Sequence, residues 1–276
     1  MPLVAVGLFL LGAGVGAIGT LIGAGGGFLF VPIIGLLDPA LPTATLTAIS
    51  LGMVVFSAAS GTVAYVRQGR VDFTSAIPLA IATIPGSVAG ALLTRSINRG
   101  VFDLVFAVLL IGLAALIALR KPPPTVVNPA APGWGVVDRV LVDNAGKEYR
   151  YRVNMPLGIA VALVEGAIAG VFGVGGGILM VPVLVGFLRF PPHVATATST
   201  SMVLITASAA TLTHLGGDEL NGYHGLVLLL GAGAVVGAQV GARLSRLVGG
   251  IVLVRVLSIA LGFVGLRLAL QALFRA

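Results

Sequence analysis

The chain has no cysteine, one tryptophan and three histidines among its 276 residues, and only 9% of it is charged. Each shortage removes a class of protein. Without cysteine there is no disulfide framework, thiolate nucleophile or thiolate metal site. His193, His214 and His224 lack the spacing of a metal-binding pair on one helix. No metal, no cofactor and no enzyme built on such a centre is therefore expected. A soluble domain carries roughly 25% charged residues, and this chain has too few to cover a water-facing surface.

What is present is apolar. Hydrophobic residues make up 58% of the chain, and the mean hydropathy is +1.11. The apolar runs are long and continuous, which excludes a β-barrel and predicts an all-α polytopic membrane protein embedded in a lipid bilayer. The formal charge is +7. Its basic residues stand singly at the ends of apolar runs, as orientation anchors rather than a nucleic-acid surface. No basic region precedes the first apolar run, so that run reads as a first membrane helix and not a signal peptide. Many of the 40 glycines, such as Gly12/Gly16, Gly86/Gly90, Gly166/Gly170 and Gly237/Gly241, have the spacing of close helix packing.

One string occurs twice. Gly23-Ala24-Gly25-Gly26-Gly27-Phe28-Leu29-Phe30-Val31-Pro32 returns as Gly173-Val174-Gly175-Gly176-Gly177-Ile178-Leu179-Met180-Val181-Pro182. Apolar segments fall at about 3–22, 28–37, 42–66, 73–94 and 100–120, and again at about 156–172, 178–188, 193–215, 222–244 and 250–272. The two sets align at an offset of about 150 residues, with Thr47-Ala48-Ile49-Ser50 matching Thr196-Ala197-Thr198-Ser199. The chain is read as a tandem duplication: a first transmembrane repeat (1–120), a linker (121–154) and a second repeat (155–276). A span needs about 20 apolar residues. The segment after each glycine string is too short, while the first segment of the first set, 3–22, is itself long enough to span. Each half is therefore expected to hold a glycine-broken helix pair that folds back, plus three full spans.

The linker opens with Lys121-Pro122-Pro123-Pro124, which cannot continue a helix. Val136–Val142 and Glu148–Val153 then alternate around the turn residues Asp143-Asn144-Ala145-Gly146, which predicts a small β-hairpin outside the membrane. Six basic residues (Arg120, Lys121, Arg139, Lys147, Arg150, Arg152) place the linker in the cytoplasm. Three crossings per half would make the repeats inverted. The loop with Arg67 and Arg70 would then be cytoplasmic, and the matching loop with Asp218 and Glu219 external. Arg95 and Arg99 would fall outside, against the charge trend.

A triple glycine followed by proline is poor helix sequence, and irregular backbone inside a bilayer survives only where protein or a water-filled cavity satisfies it. Matched breaks in matched halves point to a transporter site. A half-helix starting at Phe28 or Ile178 offers free N–H groups and a positive dipole end to an anion. A dinucleotide loop would need a preceding strand in a βαβ unit, which the chain lacks.

Two Gly-x-Gly-Gly-Gly-x-x-x-Val-Pro strings, each followed by Ala48-Ile49-Ser50 or Ala197-Thr198-Ser199, resemble the TauE/SafE family of sulfite and organosulfonate exporters. The resemblance covers both halves and implies a membrane permease for small sulfur-containing anions.

The residues themselves nominate a substrate site of Gly25, Gly26, Gly27, Phe28 and Ser50 from one half and Gly175, Gly176, Gly177, Ile178 and Ser199 from the other. Gln239 lies mid-helix within reach of that centre. Glu165, matched by Val15, is an acid ten residues into an apolar run and a candidate proton carrier. His214, matched by Tyr65, ends a span and reads as an interfacial anchor or a second proton-coupling group. The expected function is export of a small sulfur anion by alternating access, the alternative being a passive anion channel. The expected partners are that anion and the bilayer, with a homo-oligomer left open and no nucleic acid.

Overall fold

The computed structural model describes residues 2–119 and 135–275. The predicted proline stop at Lys121-Pro122-Pro123-Pro124, with Arg120, lies outside the described residues. The first half holds α1 (Pro2–Ile22), α2 (Gly27–Leu37), α3 (Thr43–Val66), α4 (Phe73–Leu93) and α5 (Arg99–Leu119). After the strands β1 (Val136–Val142) and β2 (Glu148–Asn154), the second half repeats the order as α6 (Met155–Phe172), α7 (Gly177–Gly186), α8 (Pro192–Leu215), α9 (His224–Leu244) and α10 (Gly250–Arg275). Helix starts are set locally. Asp72 Oδ1 accepts from Ser75 N at 3.1 Å to cap α4, and Asn154 Oδ1 accepts from Leu157 N at 3.1 Å to cap α6.

The predicted glycine pairs are contact surfaces. A Cβ on Gly12, Gly233, Gly237 or Gly241 would strike the backbone of Leu230, Phe9, Ala13 or Ala17, which locks α1 against α9. In the same way Gly86, Gly90, Gly166 and Gly170 seat α4 against α6, on Leu163, Ala167, Thr83 and Ser87. Without a hydrophobic drive between helices in lipid, such close backbone approach is what holds them together.

These contacts also fix direction. Gly12 and Gly16 meet Leu230 and Ala234, so α1 runs parallel to α9. Gly52 and Phe56 meet Val227 and Gly231, so α3 is parallel to α9 as well. With α1 and α3 parallel, the 11-residue α2 between them must run back. The same relation through α4 and α8 returns the 10-residue α7. The broken pairs therefore fold back as expected. They differ in one respect: α1 and α6 are themselves long and apolar enough to cross, so there are eight candidate spans among the described residues. Equivalent helices meet antiparallel. Thr47 lies by His214 and Thr62 by Thr200 along α3 and α8, and Ser258 and Gly265 lie by Ala114 and Ile111 along α10 and α5.

β1 and β2 pair antiparallel from Val136↔Asn154 to Val142↔Glu148. Tyr149, Tyr151 and Val153 turn inward and are buried. The hairpin sits on the end of the bundle where α3 stops and α4 begins. Asn144 donates to the carbonyls of Gln68 (3.1 Å) and Arg67 (2.9 Å), Tyr151 OH donates to Asp72 Oδ2 (2.9 Å), and Arg139 Nε donates to Ser75 Oγ (3.1 Å). Burial pushes the Asp143 carboxyl up, but N–H groups of Lys147 and Ala145, the Tyr149 hydroxyl and Arg70 outweigh it and hold the carboxyl below its usual range.

Candidate functional site

The two glycine strings are built alike. Gly23, Gly25 and Gly26 have φ of 80°, 71° and 93°, and Gly173, Gly175 and Gly176 have 67°, 71° and 95°. Only glycine takes these angles at little cost. The strings reverse the chain: Ala24 N donates to Gly19 O at 2.7 Å, Val174 N donates to Ala169 O at 3.3 Å, and α2 and α7 start from Gly26 and Gly176. Gly27 and Gly177 have ordinary φ, and a different reason to be glycine. A Cβ on Gly27 would lie 2.6 Å from Val174 Cα and 2.7 Å from Gly173 O, and one on Gly177 would lie 2.5 Å from Ala24 Cα. Each string packs backbone to backbone against the other.

Their meeting point is central. Gly25 and Gly175 both face Val54 and Val203, at the midpoints of α3 and α8. Phe28 and Ile178, predicted to open the half-helices, are fully buried beside them. The serines clamp the strings crosswise. Ser50 Oγ donates to Gly173 O at 2.7 Å, and Ser199 Oγ donates to Gly23 O at 2.9 Å. Thr47 and Thr196, which are not among the nominated site residues, press on the same two glycines. Their repeat equivalence was the signal available for them. A hydroxyl has one proton to donate, so in this packing neither serine can also donate to an anion.

The structure brings together Gly25, Gly26, Gly27, Phe28, Ser50, Gly175, Gly176, Gly177, Ile178 and Ser199. It places Gln239 elsewhere: Nε2 donates to Ser60 O and Oγ, both at 2.9 Å, joining α9 to α3. Glu165 is buried against the second string, its carboxylate filling the space a Cβ on Gly176 would take. At its repeat position Val15 lies against Gly26. His214 is fully buried near the end opposite the hairpin. Its Nε2 is 3.5 Å from Thr47 Oγ1 and its Nδ1 is 3.9 Å from Glu219 Oε2, while Glu219 Oε1 accepts from Arg95 Nε at 2.6 Å. The ion pair with Glu219 occupies Arg95.

Two halves, each with a helix pair broken at a glycine string, meeting over the middle of α3 and α8, define a polytopic membrane protein built from two repeats. The chain belongs to the sulfite exporter TauE/SafE family, whose model matches residues 8–268. It is 32% identical over 274 residues to the probable membrane transporter protein YunE of Bacillus subtilis, covering 97% of this chain and 98% of that one. It is 28% identical over 230 residues to the probable membrane transporter protein ORF9 of Sinorhizobium, covering 80% and 76%. It is 23% identical over 213 residues to the probable membrane transporter protein MJ0441 of Methanocaldococcus jannaschii, covering 75% and 71%. No solved structure matches it. The protein is a multi-pass membrane transporter.

Proposed function

We propose that the protein moves small sulfur-containing anions, such as sulfite or organosulfonates, by alternating access around the junction of the two glycine strings. The observation that carries this reading is the contact of Gly27 with Val174 and of Gly177 with Ala24, at the midpoints of α3 and α8. There the starts of two half-helices face each other, with N–H groups that the helices do not use internally. The family name supports the substrate class. In the packed state the serines hold the strings shut. Separation of the strings would free two hydroxyls and two helix N-termini for one anion, and rocking of the halves would expose it to either side.

The two halves enter the bilayer in opposite orientations, a reading supported by the antiparallel α3/α8 and α5/α10 contacts. The hairpin end carries Arg67, Arg70, Arg139, Lys147, Arg150 and Arg152 and is the cytoplasmic one, the linker (121–154) dividing repeats 1–120 and 155–276. Flux of sulfite, sulfate and small sulfonates into proteoliposomes tests the substrate class. Uptake of at least one, accelerated by the same anion on the far side, is expected. Folded protein that moves none of them removes the substrate class, and flux without accelerated exchange favours a channel.

A further inference from the structure

The two string junctions differ in one side chain. In the first half the left-handed Gly26 is covered by Val15. In the second, the left-handed Gly176 is covered by the Glu165 carboxylate, whose Oε2 and Cδ lie 3.1 and 2.8 Å from the position of the missing Cβ and whose Oε1 is closer still. Glu165 is 4% exposed, and Oε1 has no hydrogen-bond partner. A bare carboxylate in such a place is costly unless it is paired.

Among the described residues no partner charge faces it. Among the described residues α4 and α7 carry no titratable side chain, and α6 carries no other. Tyr65 of α3 and His193 and His214 of α8 sit one residue from helix ends. Arg95, beside α4, pairs with Glu219, and on α5, which packs on α6 through Phe102, Phe106 and Phe172, Arg99 pairs with Asp103. On β2, Glu148 pairs with Arg150, Arg152 with Asp138, Tyr149 with Asp143 and Tyr151 with Asp72.

We propose that Glu165 is the proton site of the transport cycle: it is a neutral acid while the strings are packed, and its O–H bond breaks, the proton passing to water, when the second string opens. Each chain then couples one proton, because Val15 leaves the first half without a counterpart. Coupling rests on the transport reading above, but the proton site does not.

The experiment has two arms on the full-length protein. In the first, dicyclohexylcarbodiimide, which attacks protonated carboxyls in apolar surroundings, is applied over a range of pH and the peptides are read by mass spectrometry. Glu165 is expected to be modified, less so as pH rises, while Asp103, paired with Arg99 at 2.9 Å, stays unmodified. Unmodified Glu165 in folded protein at acid pH overturns the proposal. In the second, a gradient of methanesulfonate, an anion that carries no proton of its own near neutrality, drives luminal pH change in proteoliposomes. Glu165→Gln is expected to lose that proton movement and keep methanesulfonate exchange. Sulfonate-driven proton movement persisting in Glu165→Gln overturns it. If Glu165→Gln does not fold, Glu165→Asp, which keeps a carboxyl, is expected to retain pH-dependent labelling, and its failure to label counts against the site. If methanesulfonate does not move, the substrate class is decided by the sulfite, sulfate and sulfonate fluxes above, and the labelling arm alone upholds or overturns the proton site.

Discussion

Replacing Gly27 or Gly177 by alanine tests whether the glycine strings must touch. Neither residue has a left-handed φ, so alanine brings no local backbone strain. The added methyl at Gly27 would meet Val174 Cα at 2.6 Å and Gly173 O at 2.7 Å. Both are backbone atoms and cannot swing aside. To restore ordinary van der Waals contact the strings must part by about 0.8 Å. Ser50 Oγ–Gly173 O, now 2.7 Å, would stretch with them. Overpacking of this kind costs about 1–3 kcal/mol, and weakening a buried hydrogen bond adds about 1 kcal/mol. The control is Gly14→Ala in α1, where a Cβ meets nothing within 4 Å and alanine favours the helix by about 1 kcal/mol. Thermal unfolding of purified protein and sulfite flux in proteoliposomes are the assays. Gly27→Ala and Gly177→Ala are expected to unfold earlier than wild type and lose transport, while Gly14→Ala does neither. Wild-type stability and flux in both string variants would refute the packing described for the centre.

Ser50→Ala and Ser199→Ala each strand a buried carbonyl and should cost about 1–3 kcal/mol, by nearly equal amounts because the bonds are repeat-related at 2.7 and 2.9 Å; chemical unfolding checks both. Tyr151→Phe removes the 2.9 Å bond to Asp72, and limited proteolysis should cut the hairpin faster. The depressed Asp143 carboxyl adds docking stability that is full above the usual carboxylate range and is lost as pH falls through its lowered value; Asp143→Asn should abolish that acid-limb dependence in the same proteolysis. The chain has no cysteine, so Gly146→Cys in the hairpin turn and Gly222→Cys at the opposite end can be probed with an impermeant maleimide. They are expected to label from opposite sides of the membrane, and labelling from one side would contradict the inverted arrangement.

Much of this was legible in the sequence because the bilayer permits so few solutions. Apolar run length predicted the helices, and the duplicated glycine string predicted both the breaks and their equivalence. The small-residue spacings marked the helix faces that pack closely, though not which helix each would meet, and alternation around Asp143-Asn144-Ala145-Gly146 predicted the hairpin. What could not be read was which partner each group would choose. Ser50 and Ser199 were assigned to an anion from chemistry alone, whereas the fold turns both toward carbonyls of the opposite string, a contact 123 or 176 residues away in the chain. Gln239 looked central because it is a lone amide mid-helix, yet its nearest acceptors are on Ser60. The apolar run at 3–22 is long enough to span on its sequence, whereas the run at 156–172 falls short of about 20 residues, and α6 reaches candidate-span length only as Met155–Phe172.

The anion is proposed to bind where the strings now touch. Selenite, the selenium counterpart of sulfite, allows a direct test, because its anomalous scattering locates it in crystals of the complex without reference to the fitted chain. A peak is expected between Gly25–Gly27 and Gly175–Gly177, with the strings apart and the Ser50 and Ser199 hydroxyls released from Gly173 and Gly23. A peak confined to the Arg95 and Arg99 end, with the strings still packed as here, would contradict it.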